Sequence, residues 1–262
     1  MVDRPRGDER PTEPDGETPP GPFEDVADAA EQLTGDGGMD GRGRGRLLGR
    51  AVTSVGHNVR AMRSRGGMAG AMAGVMEGVA PHLGIRDLEL LRSHHHGLTG
   101  EALADSLVEH ASRGSAFVGA AGGALATVEY AAPPTLLSAP VQLATETILV
   151  AAIEVKLIAE LHEVYGVHIQ GSGPQRGLTF LQAWGHQRGV SPLQPGSVSA
   201  VLGAGARREL RQRLLVRLGR NMTTLGPVLT GAIAGAYLNR RGTKRLADAI
   251  RNDLRGRTLD IQ

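Results

Sequence analysis

The chain contains no cysteine. That excludes a disulfide framework, a cysteine-ligated metal or iron–sulfur centre, and thiol catalysis. Aromatic residues are scarce, with one Trp, three Tyr and three Phe in 262 residues, which disfavours nucleic-acid binding that stacks bases on aromatic rings. Lysine is nearly missing as well: Lys156 and Lys244 stand alone among 29 basic residues. Together with the Ala and Gly content this looks like the codon bias of a GC-rich genome, so Arg in place of Lys is no argument for bidentate recognition. No GxxxxGK[ST] loop occurs, and Ser115, Ser138 and Ser197 lack a nucleophile-elbow context. Long apolar runs are also few. Uncharged stretches with helical periodicity run from Gly114 to Val128, Tyr130 to Thr145 and Asn221 to Asn239, and of these three the last alone reaches the roughly 18–20 residues of a membrane span. It carries Asn221, Thr223, Thr224, Pro227, Thr230 and Asn239 with Arg on both sides, which suits a helix buried in a bundle or inserted shallowly.

What is present is a sharp partition of charge. The net charge is +2, yet residues 1–40 hold 12 acidic and 3 basic side chains, a local balance of −9. Residues 41–70 hold seven Arg and no acid, and residues 207–257 hold 13 basic against 3 acidic side chains. With six prolines by residue 22 and no apolar run, residues 1–40 read as a disordered acidic tail without an export signal. Phe23 to Leu33 is an exception inside it, where Phe23, Val26, Ala29, Ala30 and Leu33 recur at helical spacing. Residues 41–65 read as a basic amphipathic helix or arm, and residues 66–257 as a helical domain.

From residue 47 onward the periodicity is helical and no run alternates as a half-buried strand does. It predicts an all-α, compact helical bundle, with helices at 46–63, 67–80, 86–92, 99–112, 115–131, 139–165, 175–187, 205–219, 222–239 and 243–255. The helix after Ser138 is the longest. Pro140 opens it and Gly166 closes it. Gln142, Thr145, Glu146, Lys156, Glu160 and Glu163 share one stripe, and nearly all the rest is apolar, which places this helix at the centre of a bundle or in a membrane. Glu154 lies off that stripe, the one carboxylate expected in apolar surroundings: an acid perturbed at a functional site, or a solvated or partnered one.

Glycines repeat every four residues at Gly66, Gly70, Gly74 and Gly78, again at Gly119 and Gly123, and again at Gly231 and Gly235. Each glycine inside a helix costs about 1 kcal/mol relative to alanine, and close helix approach is what offsets such a cost in GxxxG pairs. The alternative is a compositional accident of loops in a Gly-rich chain. The Gly119 and Gly123 face is expected to meet the Gly231 and Gly235 face within the same chain.

Gly119-Ala-Ala-Gly-Gly123, the helix ending Ala159-Glu-Leu-His-Glu-Val-Tyr165-Gly166, Leu178-Thr-Phe-Leu181-Gln-Ala-Trp-Gly185, and Pro227-Val-Leu-Thr-Gly231-Ala-Ile-Ala-Gly235-Ala-Tyr-Leu-Asn239 resemble the EcsC family in order and spacing over about residues 65–257. The resemblance implies a bacterial helical protein, often regarded as membrane-associated, with no established reaction. Where the family continues with an acidic pair after its Tyr-Gly, this chain reads Val167-His168-Ile169-Gln170, so no role attached to those acids transfers.

Two basic regions remain as candidate binding surfaces. Leu48, Val52, Val55, Val59 and Met62 form one helical face with Arg46, Arg50, His57 and Arg60 opposite, a pattern that lies on anionic bilayers. Arg207-Arg208-Glu209-Leu210-Arg211-Gln212-Arg213 is a second, which a solvated helix exterior also explains. Nucleic acid is the rival partner through the Arg-Gly run at 41–46. His94, His95 and His96 sit at an expected helix connection, a solvated loop or, with Asp105, Glu109 or His110, a metal site; no metal is assigned. The sequence thus points to a cofactor-free, non-enzymatic protein peripheral to the inner face of the cell membrane, bound to anionic lipid or a membrane protein and open to self-association. A nucleic-acid-binding module and an undetected enzyme are the alternatives.

Overall fold

The computed structural model describes residues 21, 23–35, 40–62, 74–131, 139–167, 169, 171–187 and 225–259. Among them every regular element is helical. The order is α1 (Glu24–Thr34), α2 (Gly41–Met62), a helical stretch at 74–79 that tightens into a 3-10 turn at Ala80–His82, α3 (Leu88–His94), α4 (Gly100–Ala131), α5 (Ala139–Val164), α6 (Gly173–Gln187) and α7 (Leu225–Leu259). The fold is the all-α bundle that the periodicity predicts. Gly66, Gly70, the helix expected at 205–219 with its Arg207–Arg213 cluster, His168 and residues 1–20 lie outside the described residues.

The axis of the bundle is α5, packed by α1, α2, α4, α6 and α7. Residues 151–160 are buried at every position, as a helix apolar around most of its girth requires. Its end is set by Gly166, at φ 69°. Val167 N–H donates to His162 C=O at 3.0 Å and Gly166 N–H to Glu163 C=O at 3.2 Å, so the left-handed glycine satisfies carbonyls that the helix leaves open.

The folded body begins earlier than residue 41. In α1, Val26, Ala29 and Ala30 are fully buried and belong to the core. Next, α2 starts at residue 41 because Asp40 caps it, accepting from Gly43 N–H at 2.7 Å on its side chain and from Arg44 N–H at 3.1 Å on its carbonyl. An acceptor and a negative charge there match the open N–H groups and positive pole of a helix start. The Arg-Gly run at 41–46 is therefore helix and not an extended arm.

Two breaks expected from glycine do not occur. Helices predicted at 99–112 and 115–131 are one, α4, because Gly114 is a contact and not a stop: a Cβ there would meet the Leu33 carbonyl at 2.8 Å. The end of α1 sits on that bare backbone. Helices predicted at 222–239 and 243–255 are likewise one, α7, which at 35 residues exceeds the 26 of α5, the helix expected to be longest, and runs through Gly242 with nothing within 4 Å of its missing Cβ. The long contact of α7 with α4, the most extensive among the described elements, outweighs the roughly 1 kcal/mol that a glycine costs an exposed helix interior.

That contact runs backbone on backbone. A Cβ on Gly119 would strike the Gly235 carbonyl and Asn239 Nδ2, one on Gly123 would strike the Gly231 carbonyl, and one on Gly235 the Gly119 carbonyl, each closer than 3.0 Å. The structure brings these four glycines together, two from each helix. Gly78 does something else: a Cβ there would meet the Phe23 ring at 2.8 Å, so it makes room for the residue that leads into α1. Gly74 is partly buried. Gly177 makes a further close approach unread from sequence, with its missing Cβ on the Ala80 carbonyl.

Gly235→Ala and Gly242→Ala are expected to move stability in opposite directions. The first puts a methyl into backbone and should cost about 1–3 kcal/mol; the second gains helix propensity in open space and should add about 0.5–1 kcal/mol. Thermal unfolding of the two variants beside the parent checks both signs.

Candidate functional site

The polar residues of α5 occupy two separate buried pockets of chemistry. Glu154 is 1% exposed. Its Oε2 accepts from Trp184 Nε1–H on α6 at 2.9 Å, and its Oε1 lies 3.1 Å from Thr243 Oγ1 on α7. Thr243 Oγ1 is also 2.9 Å from Ser115 Oγ on α4. Having one hydrogen, Thr243 donates to the carboxylate and accepts from Ser115. Glu154 is therefore a partnered core carboxylate, and through it α4, α5, α6 and α7 converge on one hydrogen-bonded chain.

The stripe that carries Lys156, Glu160 and Glu163 is buried too, so Glu154 is not the one carboxylate in the interior. Lys156 is 1% and Glu160 4% exposed, where a charge needs partners because water is gone. Lys156 Nζ donates to the Gly84 carbonyl and lies 2.8 Å from Glu160 Oε1. Arg86 Nε approaches the same oxygen at 3.9 Å, and Arg86 Nη2 reaches Glu31 Oε1 on α1 at 3.3 Å. Neither approach to Glu160 Oε1 is aligned as a hydrogen bond, so these are contacts of charge. Further along, Glu163 lies 3.4 Å from Arg176 Nη1 on α6. The periodicity placed these residues on one face correctly; what it could not show is that α1 and the loop before α3 cover that face.

The histidine triplet divides at the connection between α3 and α4. His94 ends α3, and His96 holds a left-handed φ of 53° that turns the chain. His95 is 3% exposed; its Nδ1 lies 2.8 Å from Ser106 Oγ and its ring meets His110 edge-on at 5.1 Å. The triplet is thus not a wholly solvated loop, since one of its members is core. No group of three or more His, Asp or Glu placed to hold a metal occurs among the described residues. His162, in the last turn of α5, is buried with Nδ1 2.7 Å from the Ile158 carbonyl and its ring edge-on to Phe180.

On the surface, the basic side of α2 presents Arg42, Arg46 and Arg50, four residues apart and all exposed. No acid lies between Gly41 and Met62. The opposite side is spoken for: Leu47, Ala51 and Val55 are buried in the core and Ser54 Oγ donates to Asp25 Oδ2 of α1 at 2.6 Å. Arg44 turns inward over the Phe117 ring, 5.5 Å from its centroid. The side chain of Arg60 lies outside the described residues. Nearby on α1, burial followed by the charges of Glu31 and Asp25 pushes the Asp28 carboxyl up, while Arg50 pulls it down. No helix among the described residues is long and apolar enough to cross a membrane.

At the far end of the bundle Glu101, in the first turn of α4, gathers Arg255, Arg251 and Tyr165. Arg255 grips it with two nitrogens at 2.9 and 2.6 Å, and Tyr165 OH donates at 2.9 Å. Arg251 also binds it and reaches Asp105 at 2.7 Å. The Arg255 hydrogen bonds foremost, then those of Arg251 and Tyr165, hold the Glu101 carboxyl down at about 2 against the rise that burial causes.

Removing the indole donor by Trp184→Phe leaves a buried carboxylate short of one partner, and is expected to cost about 1–3 kcal/mol in thermal or urea unfolding. For Glu101 the folded value lies below the ordinary 4.5, so the unfolded chain binds the proton first and stability falls as pH drops. The contribution is full above about 4.5 and is lost by about 2. Its size is reduced by solvent, because the side chain is 51% exposed. The stability difference between parent and Glu101→Gln should therefore be constant at neutral pH and shrink through that acid window; a difference independent of pH there would remove the ion cluster from the account.

No protein-family model, no curated protein and no solved structure matches this chain.

Proposed function

We propose that the chain is an EcsC-like helical protein, non-enzymatic and without cofactor, that works at the cytoplasmic face of the membrane by holding anionic lipid or a membrane partner. The observation that supports this is the outer side of α2, where Arg42, Arg46 and Arg50 stand exposed in a row on a helix with no acid from Gly41 to Met62. The attachment in this reading is electrostatic. In α2, Leu47, Ala51 and Val55 are buried in the core and Leu48 packs partly buried against it, so in this reading the helix lays its charges against headgroups. Such binding weakens with salt, and the likeness of the helices to the EcsC pattern supplies the membrane setting.

The test is flotation of the full chain with vesicles of phosphatidylcholine alone or mixed with phosphatidylglycerol, comparing the parent with the triple variant Arg46→Gln, Arg50→Gln, Arg60→Gln. Each Arg near an anionic surface contributes about 1 kcal/mol, so the variant should lose on the order of a hundredfold in affinity for anionic vesicles and be unchanged on neutral ones. Equal affinity of variant and parent would take α2 out of the mechanism. Tight binding of DNA or RNA at physiological salt, abolished in the same variant, would put a nucleic-acid-binding module in its place.

A further inference from the structure

The side of α7 turned away from α4 carries a feature that α2 lacks. Ile233 is 68% and Tyr237 57% exposed, and they lie one turn apart on the same face of the helix. At 100° per residue Arg240, Arg241, Lys244 and Arg245 continue that face toward the C-terminus, and all but the partly buried Lys244 are exposed. Gly235, Thr243, Leu246 and Ile250 meet the bundle on the other side, while Ala247, Arg240 and Lys244 lie toward the edge of the outer face, the two cations reaching Glu109 of α4. So the outer face has an apolar end and a cationic end along one helix.

The charge there is unbalanced. Glu109 of α4 is approached by three cations at once, Arg240 at 2.7 Å, Arg113 at 2.9 Å and Lys244 at 3.0 Å. Burial pushes the Glu109 carboxyl up, but Lys244, Arg113 and Arg240 prevail and hold it below the ordinary value. One acid against three cations leaves a local excess of positive charge, which Asp248, exposed on the same face, reduces without cancelling. Arg241 adds to it, folding back so that Nη1 donates to Tyr237 OH at 2.6 Å with its guanidinium 5.9 Å from the ring centroid.

From this arrangement we infer that the outer face of α7 is a second lipid contact, in which Ile233 and Tyr237 enter the headgroup boundary of an anionic bilayer while Arg241 and Arg245 bind lipid phosphates. The chemistry fits that occupant better than the others. A second copy docked by a two-fold axis would set this face against itself, and like charges would meet. A nucleic acid needs an open ring to stack on, and Arg241 already lies over that of Tyr237. An interfacial tyrosine with an arginine reaching outward is what a water–lipid boundary accommodates, since ring and aliphatic stem sit shallowly while hydroxyl and guanidinium stay wet. The inference rests on the membrane reading above and adds an apolar component to a contact that α2 makes by charge alone.

The experiment uses the full chain and vesicles made of equal parts phosphatidylglycerol and phosphatidylcholine. Ile233→Ser with Tyr237→Ser is expected to lower vesicle affinity roughly tenfold, and Arg241→Gln with Arg245→Gln by a similar factor, with thermal unfolding unchanged because these side chains are exposed. The apolar pair should also abolish whatever binding survives high salt, which α2 cannot supply. Tyr237→Trp should bind at least as tightly as the parent, and its new indole emission should shift blue on adding anionic vesicles. If the parent binds and the α7 variants bind equally well, or the Trp emission does not move, the α7 contact is wrong while the α2 reading stands. If the parent binds no vesicle of either kind, the membrane reading itself is gone and this inference with it.

Discussion

Everything in this fold leans on the absence of side chains at one place, where α4 and α7 touch carbonyl to backbone at Gly119, Gly123, Gly231 and Gly235. Two helices that close cannot tilt or slide without collision, so their relative register is fixed by shape. Register matters because the next residues along α7 must reach particular partners. Thr243 must meet Ser115 and Glu154, and farther on Arg251 and Arg255 must meet Glu101. A shift by one turn would strand a buried hydroxyl beside a buried carboxylate, which costs far more than a lost surface pair. The glycines set the spacing and the polar partners lock it.

The interior of α5 illustrates what a bundle must do with charge it cannot expose. Lys156 and Glu160 are nearly inaccessible, and taking two ions out of water costs several kcal/mol apiece before their attraction returns anything. The fold answers with a third and fourth charge, Arg86 and Glu31, and with the Gly84 carbonyl. Gly84 itself leaves space for the Glu31 carboxylate, which a Cβ would meet at 2.9 Å. Consequently α1 is more than a cover over apolar surface. It brings an acid to a cluster that would otherwise hold two cations and one anion.

How much of this was readable beforehand follows from where the information resides. The partnership of the Gly119 and Gly235 faces was legible because a four-residue repeat of glycine on a helix has few uses. The centrality of α5 was legible from its girth of apolar residues. The gaps expected at 113–114 and 240–242 each fall at a glycine, and a glycine inside a continuous helix and one that ends a helix are the same letter; at Gly114 it is the Leu33 carbonyl, arriving from far off, that shows a contact. The burial of His95, Lys156 and Glu160 was invisible for a related reason. Local pattern says which face a residue shares, whereas exposure depends on what comes to cover it from elsewhere in the chain. The capping of α2 by Asp40 was available in principle, an acid just before the helix, but the alternating glycines that follow it are poor helix formers and mask the start. On α7, the cue was an Ile and a Tyr one turn apart on the side opposite the glycines, a signal hidden inside what looked like a uniformly apolar stretch.

Gly119 and Gly235 are 116 residues apart in the chain. Bringing such distant points together costs about 4 kcal/mol of loop-closure entropy before any contact is made, so the α4 and α7 seam must be long and close enough to offset it. The glycines that cost each helix propensity thus give it back as closeness, along a seam whose two sides the chain brings together from far apart.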